Sequence, residues 1–225
     1  MPNAIITGAS RGLGRELAVA LAARGWDLVV DARRPGPLRA LADELGPRVT
    51  AVPGDVTDPE HRAALVAAAG RPDLLVNNAG GLGPSPLPPL ATFPLDELRL
   101  LHEVNVVAPL ALVQLALPHL ADGAVIVNLS SDAAVQPYET WGGYGATKAA
   151  LDQLTAVLGA EHPGLGVYAF DPGDMRTDMH QAAFPGEDIS DRPEPASVVP
   201  SLLRLLDERP PSGRYTAARF SGVPA

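Results

Sequence analysis

The chain is predicted to fold as a doubly wound α/β domain, a parallel sheet of about seven strands with helices on both faces. Short apolar runs alternate with helical patterns along the whole chain, the order that right-handed strand–helix–strand crossovers require. The runs are nearly continuous Val, Ile and Leu, as strands buried on both faces must be. Composition agrees: the 225 residues are 46% hydrophobic but only 4% aromatic, so Ala, Val and Leu build the core. Such small side chains suit close packing of helices on a sheet, and the length suits one domain spanning residues 1–225.

The elements follow in order. "NAIIT" (3–7) is the first strand, and the pattern after it predicts a helix over 12–24. "DLVVDA" (27–32) is the second strand; "PGP" (35–37) reads as a loop before a helix over 37–45. "RVTAV" (48–52) and "DLLVN" (73–77) are strands separated by a helix over 59–69. "GLGPSPLPP" (81–89) follows a strand's C-terminal end, so it is either a surface connection of polyproline character or the rim of a binding site. A helix over 95–118 leads to the strand "AVIVNL" (124–129), and a helix over 144–161 to "GVYAF" (166–170). A last helix spans 196–208, and "RYTAARF" (214–220), after "PPSG", carries the faintest strand pattern of the seven.

Charge and composition exclude several functions. A net charge of −9 and a pI near 4.9 argue against nucleic acid or an anionic membrane surface as partner. The absence of cysteine excludes disulfides and thiol catalysis. The five histidines, at 61, 102, 119, 162 and 180, show no ligand spacing, so no metal site is expected. "MPNAIITGAS" lacks a signal-type apolar stretch, and "ALVQLALPHLA" is short and broken by Gln114 and Pro118. A cytoplasmic protein without a membrane span is expected.

Two motifs carry chemistry. "TGASRGLG" (7–14) sits between a strand and a helix, where Gly8, Gly12 and Gly14 let the backbone turn tightly and approach a pyrophosphate at the helix N-terminus. A plain tight turn is the competing reading. The same stretch contains Gly-x-Ser-x-Gly, the nucleophile elbow of serine hydrolases, with Ser10 as nucleophile. Only nine residues precede Ser10, too few for the upstream loop that completes a hydrolase oxyanion hole. The second motif is "YGATK" (144–148), which contains the only lysine among 17 basic residues. Four residues apart on a helix, Tyr144 and Lys148 share a face. A nearby ammonium favours phenolate and is expected to lower the tyrosine pKa from about 10, making an acid/base for a substrate oxygen.

"TGASRGLG", "NNAG" (77–80), "VN" ending at Asn105, "LSS" (129–131), "YGATK" and "DPGDMRT" (171–177) occur together in this order. With these six motifs in register, the chain resembles the short-chain dehydrogenase/reductases of the compact, single-domain branch. The resemblance implies a Rossmann-type sheet and a carbonyl reductase or alcohol dehydrogenase acting on a small carbonyl or alcohol. Tyr144 would be the acid/base, and Lys148 would tune it and hold the nicotinamide ribose. Ser131, thirteen residues before Tyr144, is favoured over Ser130 for orienting the carbonyl, and Asn105 would anchor a water in the proton relay. Gly8, Ser10, Arg11, Gly12, Leu13 and Gly14 would line the pyrophosphate side. Asn78, Ala79 and Gly80, with Asp55 and Val56, would hold the adenosine side. Pro172, Gly173 and Thr177 would close over the nicotinamide.

Charge argues the choice of cofactor. The family's acidic position at the end of the second strand falls on Ala32, and Arg33 follows, with Arg11 as a second phosphate ligand; both imply NADP(H). Asp31 lies one residue early, and strand alternation turns it the other way. Fewer than twenty residues join Thr177 to the helix near Ala196, which implies an open or small-lidded pocket. A homo-oligomer is expected, a dimer rather than the family's tetramer, because the ending lacks the usual Asp-Gly-Gly. An NADP(H)-binding regulatory protein without turnover is an alternative within the fold, and a Ser10 hydrolase one outside it.

Overall fold

The computed structural model describes residues 1–222. Its seven strands are β1 (Asn3–Ile6), β2 (Asp27–Ala32), β3 (Val49–Pro53), β4 (Leu74–Asn77), β5 (Val125–Leu129), β6 (Gly166–Asp171) and β7 (Gly213–Thr216). They form one sheet in the order β3-β2-β1-β4-β5-β6-β7, and every neighbouring pair is parallel. The order reverses between β1 and β4, which opens a crevice at the C-terminal strand ends where doubly wound sheets bind ligands.

Strand alternation explains the two cores. Ile6, Val30, Val76, Val127 and Phe170 face one layer, packed by α1 (Gly12–Ala23), α2 (Pro35–Leu45) and α8 (Pro195–Glu208). Ile5, Val29, Leu75, Ile126 and Val167 face the other, packed by α3 (Pro59–Ala69), α5 (Ala108–Ala116) and α6 (Gly142–Glu161). The second layer is wholly aliphatic, while the first adds Tyr168, Phe170 and Phe220 to its aliphatic side chains.

Four elements differ from expectation. "PGP" is not a loop: α2 starts at Pro35, because proline's fixed φ suits the first helical position, where its missing N–H bonds nothing. The 95–118 helix divides into α4 (Leu95–His102), a π turn (Glu103–Val107) and α5, followed by a 3₁₀ turn to His119. "RYTAARF" is half strand and half helix, since the chain leaves β7 at Thr216 and turns into α9 (Ala217–Phe220). The short lid contains α7 (Asp178–Ala183), capped by the Thr177 hydroxyl accepting from the His180 amide at 3.1 Å.

The helical stretch Leu95–His119 has 25 residues, and an 18-residue window within it reaches a mean hydropathy of 1.6, long and apolar enough by those measures to cross a bilayer. It packs instead within the domain, with Leu101, Asn105, Leu112 and Val113 buried, and α5 lies against α3. It is a core helix.

Candidate active site

At the C-terminal end of β1 the chain turns through Gly8 at φ +68°, a conformation that favours glycine. The turn is pinned from below. The Gly8 amide donates to Asp31 Oδ1 at 2.6 Å, and the Ala9 amide to the Asp31 carbonyl at 2.8 Å. The other Asp31 oxygen meets His61 Nε2 at 3.0 Å. Asp31 is therefore turned under the glycine turn, as strand alternation implies. Asn78 holds the turn from the side, its Nδ2 donating to the carbonyls of Thr7 at 2.8 Å and Gly8 at 3.1 Å. The Thr7 hydroxyl accepts from the amides of Asn78 and Ala79, both at 3.0 Å.

Helix α1 begins at Gly12 with no capping side chain and no acidic residue in its first turn. Its first amides are thus free to meet an anion. Gly14 leaves room for this: a Cβ there would overlap Asn78 Nδ2 and lie 2.8 Å from the Gly8 carbonyl oxygen. Leu13 contributes its backbone only, because its side chain is buried in the core. Ser10 is half-buried, and no base is bonded to it among the described residues; His61 is engaged by Asp31. Arg11 is paired with Asp178 of the lid, and Thr177 lies beside Gly12.

The edge of the crevice toward β2 and β3 is basic. Arg33 is exposed directly after the buried Ala32. Asp55 lies close enough to feel it. Burial pushes the Asp55 carboxyl up, but hydrogen bonds from the Thr57 amide and hydroxyl, with Arg33 and His61 nearby, hold it below its ordinary value. Val56 is buried, and its carbonyl accepts from Arg62 at 2.7 Å.

Across the crevice, α6 carries Tyr144 and Lys148, both buried. The ammonium lies 5.6 Å from the centre of the Tyr144 ring and donates to the Leu129 carbonyl at 2.7 Å. Ser131 faces Tyr144 closely enough to favour its phenolate. The Ser131 hydroxyl donates to Asp132 Oδ1 at 3.0 Å and accepts from the Ala133 amide at 3.2 Å. Ser130 is buried beneath, its hydroxyl donating weakly to the Ser131 carbonyl at 3.4 Å. Asn105 sits in the π turn with Oδ1 accepting from the Gly81 amide at 2.8 Å, and Nδ2 donating to the Gly81 carbonyl and Thr147 hydroxyl, both at 2.9 Å. The extra residue of that turn brings Asn105 to the loop after β4. Gly80 lies between Asn105 and Lys148.

The electrostatics reverse one expectation. The Tyr144 phenol is raised, not lowered: burial dominates, the Ser131 contact opposes it, and Asp171 and Asp132 add to it. Burial also pulls Lys148 down, to about 8, against the support of Asp152. Desolvation outweighs the effect of the neighbouring charge at both residues.

Around Tyr144 the crevice is apolar and aromatic. Leu82 and Leu87 pack with Ala133 and Tyr144, so the 81–89 loop is the rim of the site. Ser85 ties that loop to the lid by donating to the Ala182 carbonyl at 2.6 Å. Trp141 stands edge-on to Tyr144 at 5.9 Å and touches Phe184 of the lid at the same centroid distance. Met175 packs into the core, while Glu139 and Met179 are exposed. Pro172 and Gly173 leave β6 beside the crevice, with the Gly173 amide donating to Asp171 Oδ1 at 3.0 Å. Among the described residues there is no His, Asp and Glu cluster able to hold a metal.

The short-chain dehydrogenase family model matches residues 2–188. The chain belongs to the short-chain dehydrogenase family. Among its relatives are an uncharacterised oxidoreductase of Saccharomyces cerevisiae, 31% identical over 98% of this chain and 90% of that protein, and the sepiapterin reductase of Bos taurus, 34% identical over 96% and 85%. A short-chain dehydrogenase from Shigella flexneri, solved in complex with NADP, superposes with a TM-score of 0.90 at 30% identity, covering 96% of this chain and 97% of that one.

The hydrogen-bond partners of five polar groups of this dehydrogenase escaped sequence reasoning: those of Asp31, His61, Asp152, Asp171 and Arg214. These partners lie 23 to 83 residues away along the chain, with no fixed spacing to reveal them. Strand alternation disclosed only which way Asp31 turns, and Asp152 left a trace four residues after Lys148 on the same helix.

Proposed function

We propose that this dehydrogenase is an NADP(H)-dependent carbonyl reductase or alcohol dehydrogenase. One observation carries the reading: Tyr144, Ser131 and Lys148 converge on the crevice opposite an uncapped helix N-terminus and a basic edge. The glycine turn and the free amides of α1 would hold the pyrophosphate, with Arg33 and Arg11 on the 2′-phosphate and Asp55 by the adenine. The NADP complex of the Shigella flexneri neighbour supports this choice. When bound, NADP(H) supplies or accepts the hydride.

The chain's own residues do the rest. Ser131 donates to the carbonyl oxygen and orients it. Tyr144, held as a neutral phenol by burial, gives its proton to that oxygen as the alcohol forms. Lys148 places positive charge beside the phenolate this leaves, and Asn105 fixes the loop that carries Gly80 and Gly81. Leu82, Leu87, Trp141 and Phe184 exclude water. The aromatic wall suits a flat substrate, and the sepiapterin reductase relative makes sepiapterin one carbonyl compound to try. We also infer a homodimer through the exposed Leu100, Val107 and Leu115 of the α4–α5 stretch, with Val157 of α6.

NADPH oxidation measured across aldehydes, ketones, quinones and sepiapterin tests the activity, with thermal shift by NADPH in parallel. A reductase shows both responses. A melting shift without turnover on any carbonyl would leave a binding protein and overturn the enzymatic reading.

A further inference from the structure

Outside the recognised motifs, one side chain reaches three parts of the site at once. Arg214 of β7 donates through Nε to Asp152 Oδ2 at 2.9 Å, and through Nη2 to Asp171 Oδ2 at 2.8 Å and the Ser131 carbonyl at 3.0 Å. Each acceptor belongs to a different segment. Asp152 lies one helical turn beyond Lys148 on α6. Asp171 ends β6, and its second oxygen anchors the Gly173 amide at the start of the lid. The Ser131 carbonyl belongs to the residue whose hydroxyl faces Tyr144. The side chains of Asp152 and Asp171 are only 14% and 7% exposed.

Two carboxylates this deep would be costly without compensation. Arg214 and Lys148 supply two positive charges against the two negative ones. The planar guanidinium fork can meet three acceptors at fixed angles, which a lysine ammonium on a flexible stem cannot reproduce.

We propose that Arg214 is a positioning residue of the active site, clamping the Lys148 turn of α6, the Ser131 segment and the start of the lid into one frame. The proposal rests on the roles given above to Tyr144, Ser131 and Lys148. Arg214 acts through Asp152 and Ser131 rather than on substrate. The titratable groups around the centre are Tyr144 and Asp152 on α6, Asp132 after β5, Asp171 on β6 and Arg214 itself. Of these, Asp152 supports the Lys148 charge against burial, and Arg214 is among the groups that stabilise the Asp152 carboxylate.

The single lysine makes the test direct. Protein labelled with ¹³C at lysine Cε gives one lysine side-chain resonance, and its pH titration reads Lys148 with no substrate present. Asp152→Asn should move the midpoint down by about half a pH unit or more, because a supporting charge is lost. In the Arg214→Met background the same substitution should move it by less than half as much, because Asp152 is no longer held in place. Arg214→Met should lower kcat at least tenfold with NADPH affinity within about threefold of wild type, and Arg214→Lys should restore only part of the rate.

An unmoved midpoint in Asp152→Asn, or an equal shift in both backgrounds, would overturn the proposal. So would Arg214→Lys with wild-type kcat, a measurement that still decides the matter if Arg214→Met does not fold. Failure of wild type to oxidise NADPH with any carbonyl would sink the proposed function instead, and the resonance titration would still judge the clamp.

Discussion

A phenol shut away from water keeps its proton, and Tyr144 is shut away by Ala133, Leu87 and Trp141. It therefore holds, at neutral pH, the proton that the proposed reduction of a carbonyl would need. Tyr144→Phe should keep NADPH affinity and lose about 10²–10⁴-fold in turnover, because only the proton carrier is removed. Half-maximal activity in that variant would contradict the assignment. Lys148 shows the opposite trade. Its pKa falls from 10.5 to about 8, so at pH 7 keeping the buried ammonium charged costs the fold roughly 3 kcal/mol. The sign follows from proton binding: between pH 8 and 10.5 the unfolded chain holds the proton that the native state has lost, so stability rises with pH across that window. Lys148→Met should therefore abolish turnover yet melt higher than wild type at pH 7, with the advantage shrinking toward pH 10. Calorimetry at the two pH values checks it; a constant difference would show that the charge is not what costs stability.

At the scale of elements, the β1–α1 turn concentrates the demands. Gly14 lies where any side chain meets Asn78 and the Gly8 carbonyl oxygen. Gly14→Ala should cost about 1–3 kcal/mol through overpacking, read by urea denaturation, and weaken NADPH binding by loosening the turn. An unchanged midpoint and affinity would show that Asn78 yields freely. The same element shows what a sequence discloses. Strand and helix positions were legible because apolar periodicity is local, and β2 and α3 keep their expected boundaries of 27–32 and 59–69. The glycine turn and "YGATK" were legible because their chemistry needs fixed short spacings. The π turn at Asn105 was hidden, since a residue added to a helix leaves the apolar pattern almost intact. The direction of the Tyr144 shift was hidden too. It depends on how much water the loop at 81–89 and the lid exclude, and Leu87 and Phe184 come from distant parts of the chain to do so.

At the scale of the whole molecule, the α4–α5 stretch leaves large apolar side chains in solvent. Leu100, at 59% exposed, and Val107, at 45%, lie along the α4–α5 stretch on a protein of net charge −9. An apolar stripe on such a charged surface fits a second copy of the same chain, whose matching stripe would cover it. Wild type should run as a dimer in light scattering and Val107→Asp as a monomer at micromolar concentration. A wild-type monomer would remove the inferred interface.

The burial of Lys148 also makes the molecule its own gauge of opening. A lysine-specific protease has one peptide bond to cut, after Lys148 near the start of α6, and the native helix withholds it. The rate of that single cleavage then counts how often α6 leaves the sheet. NADPH should slow it in proportion to its occupancy, since a ligand that binds only the closed form draws population away from the open one. Cutting unaffected by saturating NADPH would mean that α6 opens without disturbing the cofactor site.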